Sequence, residues 1–227
     1  MGRTRIPLPA LAVSSVVLVT TALAFVFFVA PNDQTLGFSQ RIFYFHVSIA
    51  FAAYACFICG AWQALRHLWK RDPRADLASY VCVHQGLIFG TMVLITGSIW
   101  AKVAWGRWWI WSEDELVLFL VLYLFYCAYF MLRFSIDPGP QRANLSAVYA
   151  LFGVVLIPVS FSAIRLAKAY FHPQVFTLHG PNFGGWILVT YCIAQAALLV
   201  LAYTLYRVEL AGKRLDSRLR ELREVLA

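Results

Sequence analysis

The sequence predicts an all-α integral membrane protein: a bundle of six transmembrane helices with a Trp-rich interfacial segment on its external side. Of its 227 residues, 61% are hydrophobic and only 13% are charged, whereas soluble domains are roughly 45–50% apolar and about 25% charged. The apolar residues also form long uninterrupted blocks, and a block of about 18 or more residues indicates a spanning helix. Only helices and closed barrels satisfy the backbone in lipid, and these blocks do not alternate apolar and polar residues, so we expect helices.

Six such blocks divide the chain. Arg3 and Arg5 precede the first one, which is longer than the ~7–15 apolar residues of a secretory signal, so we interpret it as a retained span. We interpret residues 1–227 as a single polytopic membrane domain that ends in an amphipathic cytoplasmic tail, 207–227, with leucines on one helical stripe. The predicted spans are 6–30, 42–65, 77–100, 116–132, 145–164 and 185–206.

The distribution of Lys and Arg predicts the orientation. One side of the predicted bundle holds 14 of the 19 basic residues, including those at both ends of the chain. By the positive-inside rule we expect both termini in the cytoplasm. The loop before span two, the loop after span three and the loop between spans five and six are then external. Because orientation explains the net charge of +8, the basic residues do not indicate a nucleic-acid partner.

The stretch "AWGRWWIWSEDE", residues 104–115, holds an unusual concentration of Trp in the external loop after span three. An aromatic belt at the membrane surface explains one or two of these residues, but five suit a large planar ligand. The spacing i, i+3, i+4 of three of them predicts a shared face on a helical segment, bordered by a fourth. The residues concerned are Trp105, Trp108 and Trp109 on the face, Trp111 beside it, and Trp100 just upstream.

Two histidines at similar depth on the external side are candidate metal ligands. His46 lies about one turn into span two, and His179 lies in "FTLHGPNFGG" just before span six. A single membrane histidine is often only a hydrogen-bonding residue, but two suit a metal held by two imidazoles. A haem satisfies both the histidines and the indoles, so we expect His46 and His179 as axial ligands. Arg41, Lys102 and Arg107 are external cations that could pair with its propionates or simply extend to the interface.

Three segments resemble a known family. "TGSIWAKVAWGRWWIW" (Thr96–Trp111) resembles the Trp-rich external segment of the WWD family of haem-handling membrane proteins, and within it the CcmC family of c-type cytochrome maturation. "RIFYFHVSIA" (Arg41–Ala50) and "TLHG" (Thr177–Gly180) resemble the segments that carry its two external histidines. The resemblance implies a protein that is not an enzyme. It implies binding of haem b at the outer face of a bacterial-type inner (cytoplasmic) membrane and presentation to the membrane-anchored haem chaperone CcmE. The implied partners are the ABC transporter subunits CcmA and CcmB and the small membrane subunit CcmD.

The chain departs from the family motif after its last Trp. The family continues into an Asp and then a basic residue, whereas here Ser112 follows and then Glu113, Asp114 and Glu115. Acidic residues at this position suit the first turn of the fourth helix. The alternative to this helix-capping role is that they dock a basic partner or tune the charge around haem.

Alternative functions predict different features of the sequence. A haem lyase of the WWD family, or a haem exporter, is the nearest alternative, although lyases carry additional spans and histidines. A b-type cytochrome needs pairs of histidines inside spans, and only His84 lies deep in one, about 10 Å from the cytoplasmic side at 1.5 Å per residue. A small-molecule transporter predicts inverted repeats or helices broken at the midplane, and neither is evident.

Overall fold

A computed structural model describes residues 6–166, 172–173, 175–177 and 180–226, without the side chains of residues 163–166. Within these residues the chain is all-α apart from one small hairpin, β1 (Phe176–Thr177) paired antiparallel with β2 (Gly180–Pro181). The helices are α1 (Leu8–Ala24), α2 (Ile42–Lys70), α3 (Pro73–Trp105), α4 (Asp114–Ser135), α5 (Pro140–Leu166) and α6 (Gly185–Leu226).

Six helices of the described chain are long and apolar enough to cross a membrane, with mean hydropathy between 1.7 and 2.4 over their most apolar stretches. This confirms the predicted class. Most helices extend past the predicted spans, because a hydropathy block stops at the first charged residues while a helix continues to its cap. The largest difference is α6, whose 42 residues correspond to about 63 Å. The predicted sixth span and the predicted tail are therefore one continuous helix.

The antiparallel helices give the bundle two distinct ends. We call the end that holds the α2–α3 and α4–α5 connections, together with the first residues of α1, the basic end. The opposite end, with the α1–α2 connection and the segment 106–113, is the Trp end. At the basic end the turn between α2 and α3 places Arg71 in the left-handed region at φ 50°. Asp72 then caps α3 by accepting the backbone N–H of Arg74 at 2.9 Å.

Helix α2 lies in the centre of the bundle, against α3, α5 and α6. Close approach to α3 depends on Gly86, because a Cβ there would lie 2.5 Å from the ring of Phe57. Phe57 in turn stacks on Tyr126 of α4, with ring centroids 3.9 Å apart and planes 3° from parallel. Since lipid supplies no hydrophobic force between helices, small residues and tight contacts of this kind hold the bundle together.

Polar pairs inside the bundle join helices that are distant in sequence. Arg133 of α4 donates two hydrogen bonds, of 2.8 and 2.7 Å, to the carboxylate of Asp76 on α3. Ser15 of α1 is 2.7 Å from Thr204 of α6. The sequence suggests no partner for His84 at its depth in the membrane. In the structure its Nδ1 lies 2.9 Å from a carboxylate oxygen of Glu209 on α6. This pair lies toward the basic end, away from the Trp segment.

The segment that leads into α2 is shaped by a π-helical turn and by the side chain of Asp33. A single π-helical turn, Phe25–Val29, extends α1. Asp33 then accepts the backbone N–H groups of Thr35 and Leu36 at 2.8 and 2.7 Å, and these bonds hold the pKa of its carboxyl below the usual value. The turn places the start of α2, and with it His46, at the Trp end.

Candidate functional site at the Trp end

A pocket opens at the Trp end between α2, α3, α4, α5 and the chain before β1. Its empty volume, which includes open solvent at the mouth, is about 940 Å³. The lining is mainly aromatic and aliphatic. Its polar and charged side chains come from one tyrosine, two histidines, one glutamate and the indole N–H groups. The residues that line it with aromatic or polar groups are His46, Phe51, Tyr54, Trp100, Trp105, Trp109, Glu115, Phe119, Phe161, His172 and Phe176.

His46 is held in one tautomer by Thr96 of the neighbouring helix α3. The Thr96 hydroxyl donates its proton to the backbone C=O of Met92 at 2.7 Å. While its single proton is used in this bond, the hydroxyl oxygen accepts from Nδ1 of His46, which lies 2.9 Å away. The hydrogen on Nδ1 leaves the lone pair on Nε2, which is the state of imidazole that binds a metal. The sequence identified the histidine, and the structure supplies the residue that orients it.

Gly97 brings α3 close to this imidazole. A Cβ on Gly97 would lie 2.9 Å from Cε1 of His46, closer than real Cβ atoms approach their neighbours. The glycine therefore fixes how deep the ring lies against α3. Sequence reasoning missed both Thr96 and Gly97 as parts of the site, because the contact joins two helices 50 residues apart.

The helical Trp face predicted for the segment after span three is wrong. Helix α3 ends at Trp105, and Gly106 adopts φ +74°, a left-handed conformation that ends helices. Its N–H donates to the C=O of Lys102 at 3.1 Å, and Lys102 Nζ donates to the C=O of Gly106 at 3.0 Å. The segment 107–113 that follows is not helical, so the i, i+3, i+4 spacing does not define a face.

The irregular segment sorts the Trp residues into two groups. Trp100, Trp105 and Trp109 line the pocket, with Trp100 and Trp105 packed edge to face at 5.2 Å. Trp108 and Trp111 do not line it and are 60% and 73% exposed, as suits an interfacial belt. The buried N–H groups of Trp100 and Trp109 have no acceptor among the described residues, so the pocket lining offers donors to a polar ligand group.

His172 is a pocket residue that the sequence did not single out. Its Nδ1 lies 2.7 Å from a carboxylate oxygen of Glu115, and its ring lies 6.2 Å from those of Trp100 and Trp105. A metal-ligating imidazole usually donates its other N–H to a carboxylate; here the two atoms lie at ion-pair distance, but hydrogen-bond geometry does not join them. The only sequence signal was its place in the same external loop as the predicted second ligand.

Only part of the acidic run after the Trp segment belongs to the first turn of α4. Asp114 and Glu115 lie in the first turn of α4, as expected. Glu113 precedes that turn and is 2% exposed, and its carboxylate accepts the backbone N–H of His172 at 3.4 Å. Two of the three acidic side chains thus contact the connection between α5 and α6 instead of solvent.

The three predicted cations lie outside this pocket. Arg41 donates to the C=O of Val26 at 2.8 Å and to Asn32 at 2.7 Å, and its guanidinium lies 4.3 Å from the ring centre of Phe38. These contacts fasten the end of α1 to the start of α2. Lys102 completes the end of α3 as described above, and Arg107 is exposed. Arg41 and Lys102 therefore have structural roles at the mouth of the bundle.

The other predicted ligand, His179, lies outside the described residues, as do Lys168 and the side chain of Arg165. The described parts fit a planar, metal-containing group: one imidazole with a free Nε2, a second beside a carboxylate, aromatic walls and two indole N–H donors without acceptors. No Lys or Arg of the described chain lines the pocket, so the residues that would meet propionates are not among its described lining.

The fold and the pocket define a polytopic helical membrane protein with a site lined by His and Trp at one end. A family model described as heme exporter protein C matches residues 2–224. Among the similar proteins is one of that name from Bradyrhizobium diazoefficiens, 27% identical over 223 residues, which covers 97% of this chain and 83% of the relative.

Two further relatives carry the same name. The protein from Escherichia coli K12 is 33% identical over 152 residues, 67% of this chain and 62% of the relative, so the match spans less than two thirds of that protein. The protein from Rhodobacter capsulatus is 28% identical over 192 residues, 76% of this chain and 79% of the relative. With a family model that matches nearly its whole length, the chain belongs to the CcmC family.

Proposed function

We propose that this protein binds haem b at the external face of the cytoplasmic membrane, between the Trp segment and the α5–α6 connection. It then presents the haem to a membrane-anchored chaperone during c-type cytochrome maturation. The observation that carries the proposal is His46, held by Thr96 with Nε2 free in an aromatic pocket. The relatives' shared name, heme exporter protein C, supports haem as the ligand.

His46 and His179 are the proposed axial ligands. Val175 and Phe176 line the pocket, and His179 follows Phe176 by three positions in the sequence. His172, which the structure places in the pocket beside Glu115, is the rival for the second ligand and must be tested alongside His179.

The exposed position of the site suits transfer rather than permanent retention. An aromatic contact contributes only about 0.5–1.5 kcal/mol beyond the burial of apolar surface. Haem held by two imidazoles and a few such contacts can be released when a partner supplies competing contacts. CcmE is the proposed acceptor, with CcmA, CcmB and CcmD as neighbours in the same assembly. The protein itself breaks and forms no covalent bond in this proposal, so it is not an enzyme.

The proposal is tested by haem transfer between purified components. The protein is loaded with haem in nanodiscs and mixed with its membrane-anchored chaperone, and the haem on each protein is then measured by absorbance after separation. We expect His46→Ala to carry little haem and to deliver little. His84→Gln is the matched control, because this histidine lies toward the basic end, and it should behave like the unaltered protein. Equal loading and delivery by His46→Ala would refute the proposal.

A further inference from the structure

A second pocket lies at the basic end, on the opposite side of the bundle from the Trp segment. It opens between the start of α1, the end of α2, the start of α3 and the middle of α6, with an empty volume of about 1,610 Å³ counted to its mouth. Its lining combines apolar side chains with four arginines. The residues that line it are Ile6, Gln63, Arg66, Asp72, Arg74, Ala75, Ala78, Tyr203, Tyr206, Arg207, Leu210 and Arg214.

Its charge is not balanced within the protein. Four arginines face one carboxylate, Asp72, which already accepts the backbone N–H of Arg74 as the cap of α3. In the described part of the chain, no carboxylate oxygen lies within 4.0 Å of any of these four guanidinium groups. Three of them, on Arg66, Arg207 and Arg214, are half-buried. Charges that lose water without gaining a counter-ion are costly, so the pocket is suited to an anion.

The hydrogen bonds of the arginines position them without neutralising them. Arg66 donates to Gln63 at 2.8 Å. Arg207 donates to the hydroxyl of Tyr203 at 3.1 Å and to the C=O of Ile6 at 3.4 Å. All three acceptors are uncharged, and each bond uses only part of a guanidinium's five donors. The remaining N–H groups are left for a ligand with several acceptor oxygens, which is the geometry of a phosphate.

The apolar residues of the lining favour a lipid over a soluble anion. Ile6, Ala75, Ala78 and Leu210 line the same pocket as the arginines, and the helices that carry them are long enough to cross a membrane. Basic pockets between transmembrane helices at a membrane surface bind the headgroups of anionic lipids. A phospholipid would place its phosphate on the arginines and its first acyl carbons against the aliphatic side chains.

We propose that this pocket binds the phosphate group of an anionic phospholipid from the leaflet at the basic end. The arginines recognise the phosphate, and Tyr203 and Tyr206 lie beside it as aromatic residues do at a membrane interface. The lipid bridges α1, α2, α3 and α6, so it stabilises the basic end of the bundle. The site is independent of haem binding at the Trp end.

Native mass spectrometry of the full-length protein tests this proposal. The protein is purified from nanodiscs of phosphatidylglycerol or of phosphatidylcholine, and the retained lipid is counted after detergent exchange. The double variant Arg66→Gln/Arg207→Gln removes two of the half-buried cations. Arg142→Gln is the control, since Arg142 lies on α5 outside the lining of this pocket. Helix content by circular dichroism and haem content show whether each variant remains folded.

We expect the unaltered protein and Arg142→Gln to retain phosphatidylglycerol over phosphatidylcholine. The double variant loses two cations that could each donate charge-assisted hydrogen bonds to the phosphate, so it should bind the anionic lipid at least about tenfold more weakly while its haem content stays unchanged. Equal retention by the folded double variant, or no preference for the anionic lipid, overturns the proposal. Displacement of the lipid by inorganic phosphate or ATP at millimolar concentration would assign the pocket to a soluble phosphate and overturn the lipid assignment.

Discussion

At the scale of single residues, the state of the His46 ring is decided by a threonine. Thr96 gives its own proton to Met92 and so accepts from Nδ1 of the imidazole. A histidine ligand depends on such a partner for its tautomer and orientation, and removal of the partner typically costs 10–100-fold in metal affinity. The pair His46–Thr96 is therefore the smallest unit on which the proposed site depends.

Replacement of Thr96 by Val tests this unit. Thr96→Val keeps the shape of the side chain but removes the acceptor. We therefore expect the variant to bind haem at least about tenfold more weakly in a titration followed by absorbance. Thr96→Ser keeps the hydroxyl and should restore most of the affinity. Unchanged binding by the Val variant would show that Thr96 does not orient the ligand.

Gly97 allows a second test with a single added carbon. In Gly97→Ala the new Cβ would lie 2.9 Å from His46 Cε1, so the ring must move and the iron ligation should be distorted. We expect several-fold lower haem content and a shifted Soret band. The control is Gly139→Ala, where a Cβ meets nothing within 4 Å, and it should match the parent. Identical spectra for both alanine variants would contradict the contact.

The sequence could predict His46 but not the residues around it. A membrane-embedded histidine is notable from its own environment, because ionisable residues are costly there. Thr96, Gly97 and the His172–Glu115 pair become meaningful only when helices α2, α3 and α4 pack together, and no local pattern records that packing. For the same reason, the sequence did not predict the hydrogen bonds of Arg41 to the end of α1 and the residues after it.

Among the structural elements, the helices were more predictable than the Trp-rich segment between α3 and α4. Hydropathy is a local property, so six apolar blocks were sufficient to predict six helices. The predicted helical Trp face was wrong because spacing alone does not reveal that Gly106 ends α3 in a left-handed conformation. One consequence is that neighbouring Trp residues of one segment now have different expected functions.

Trp109 and Trp108 form a matched pair for that difference. Trp109 lines the pocket, whereas Trp108 is 60% exposed. Loss of an aromatic contact worth about 0.5–1.5 kcal/mol, together with the buried indole N–H, should make Trp109→Leu bind haem about tenfold more weakly. Trp108→Leu should bind haem normally, since Leu is well accommodated at the lipid boundary. Equal losses in the two variants would favour a general role of the segment as a membrane anchor.

At the scale of the whole molecule, the account depends on which end faces the cytoplasm. Most Lys and Arg residues lie at the basic end and along the projecting part of α6, where leucines such as Leu215, Leu219 and Leu222 are exposed. From the positive-inside rule we expect this end in the cytoplasm and the pocket of His46 outside.

Reporter fusions test that orientation. Alkaline phosphatase, which is active only outside the cytoplasm, should be silent when fused after Ala227. When inserted after Gly106, at the end of α3, it should be active. Green fluorescent protein at the same positions should give the reverse pattern and serves as the expression control. An active fusion after Ala227 would place the haem pocket on the cytoplasmic side.

The proposed ligation of haem is tested by the optical and electron paramagnetic resonance spectra of haem bound to single His variants in nanodiscs. We expect a six-coordinate, bis-histidine spectrum for the unaltered protein and loss of that spectrum in His46→Ala and His179→Ala. His172→Ala should keep the bis-histidine signature, with weaker binding because the imidazole beside Glu115 is lost. The parent spectrum and full haem content in His46→Ala would contradict the account, and loss of the signature in His172→Ala alone would reassign the second ligand.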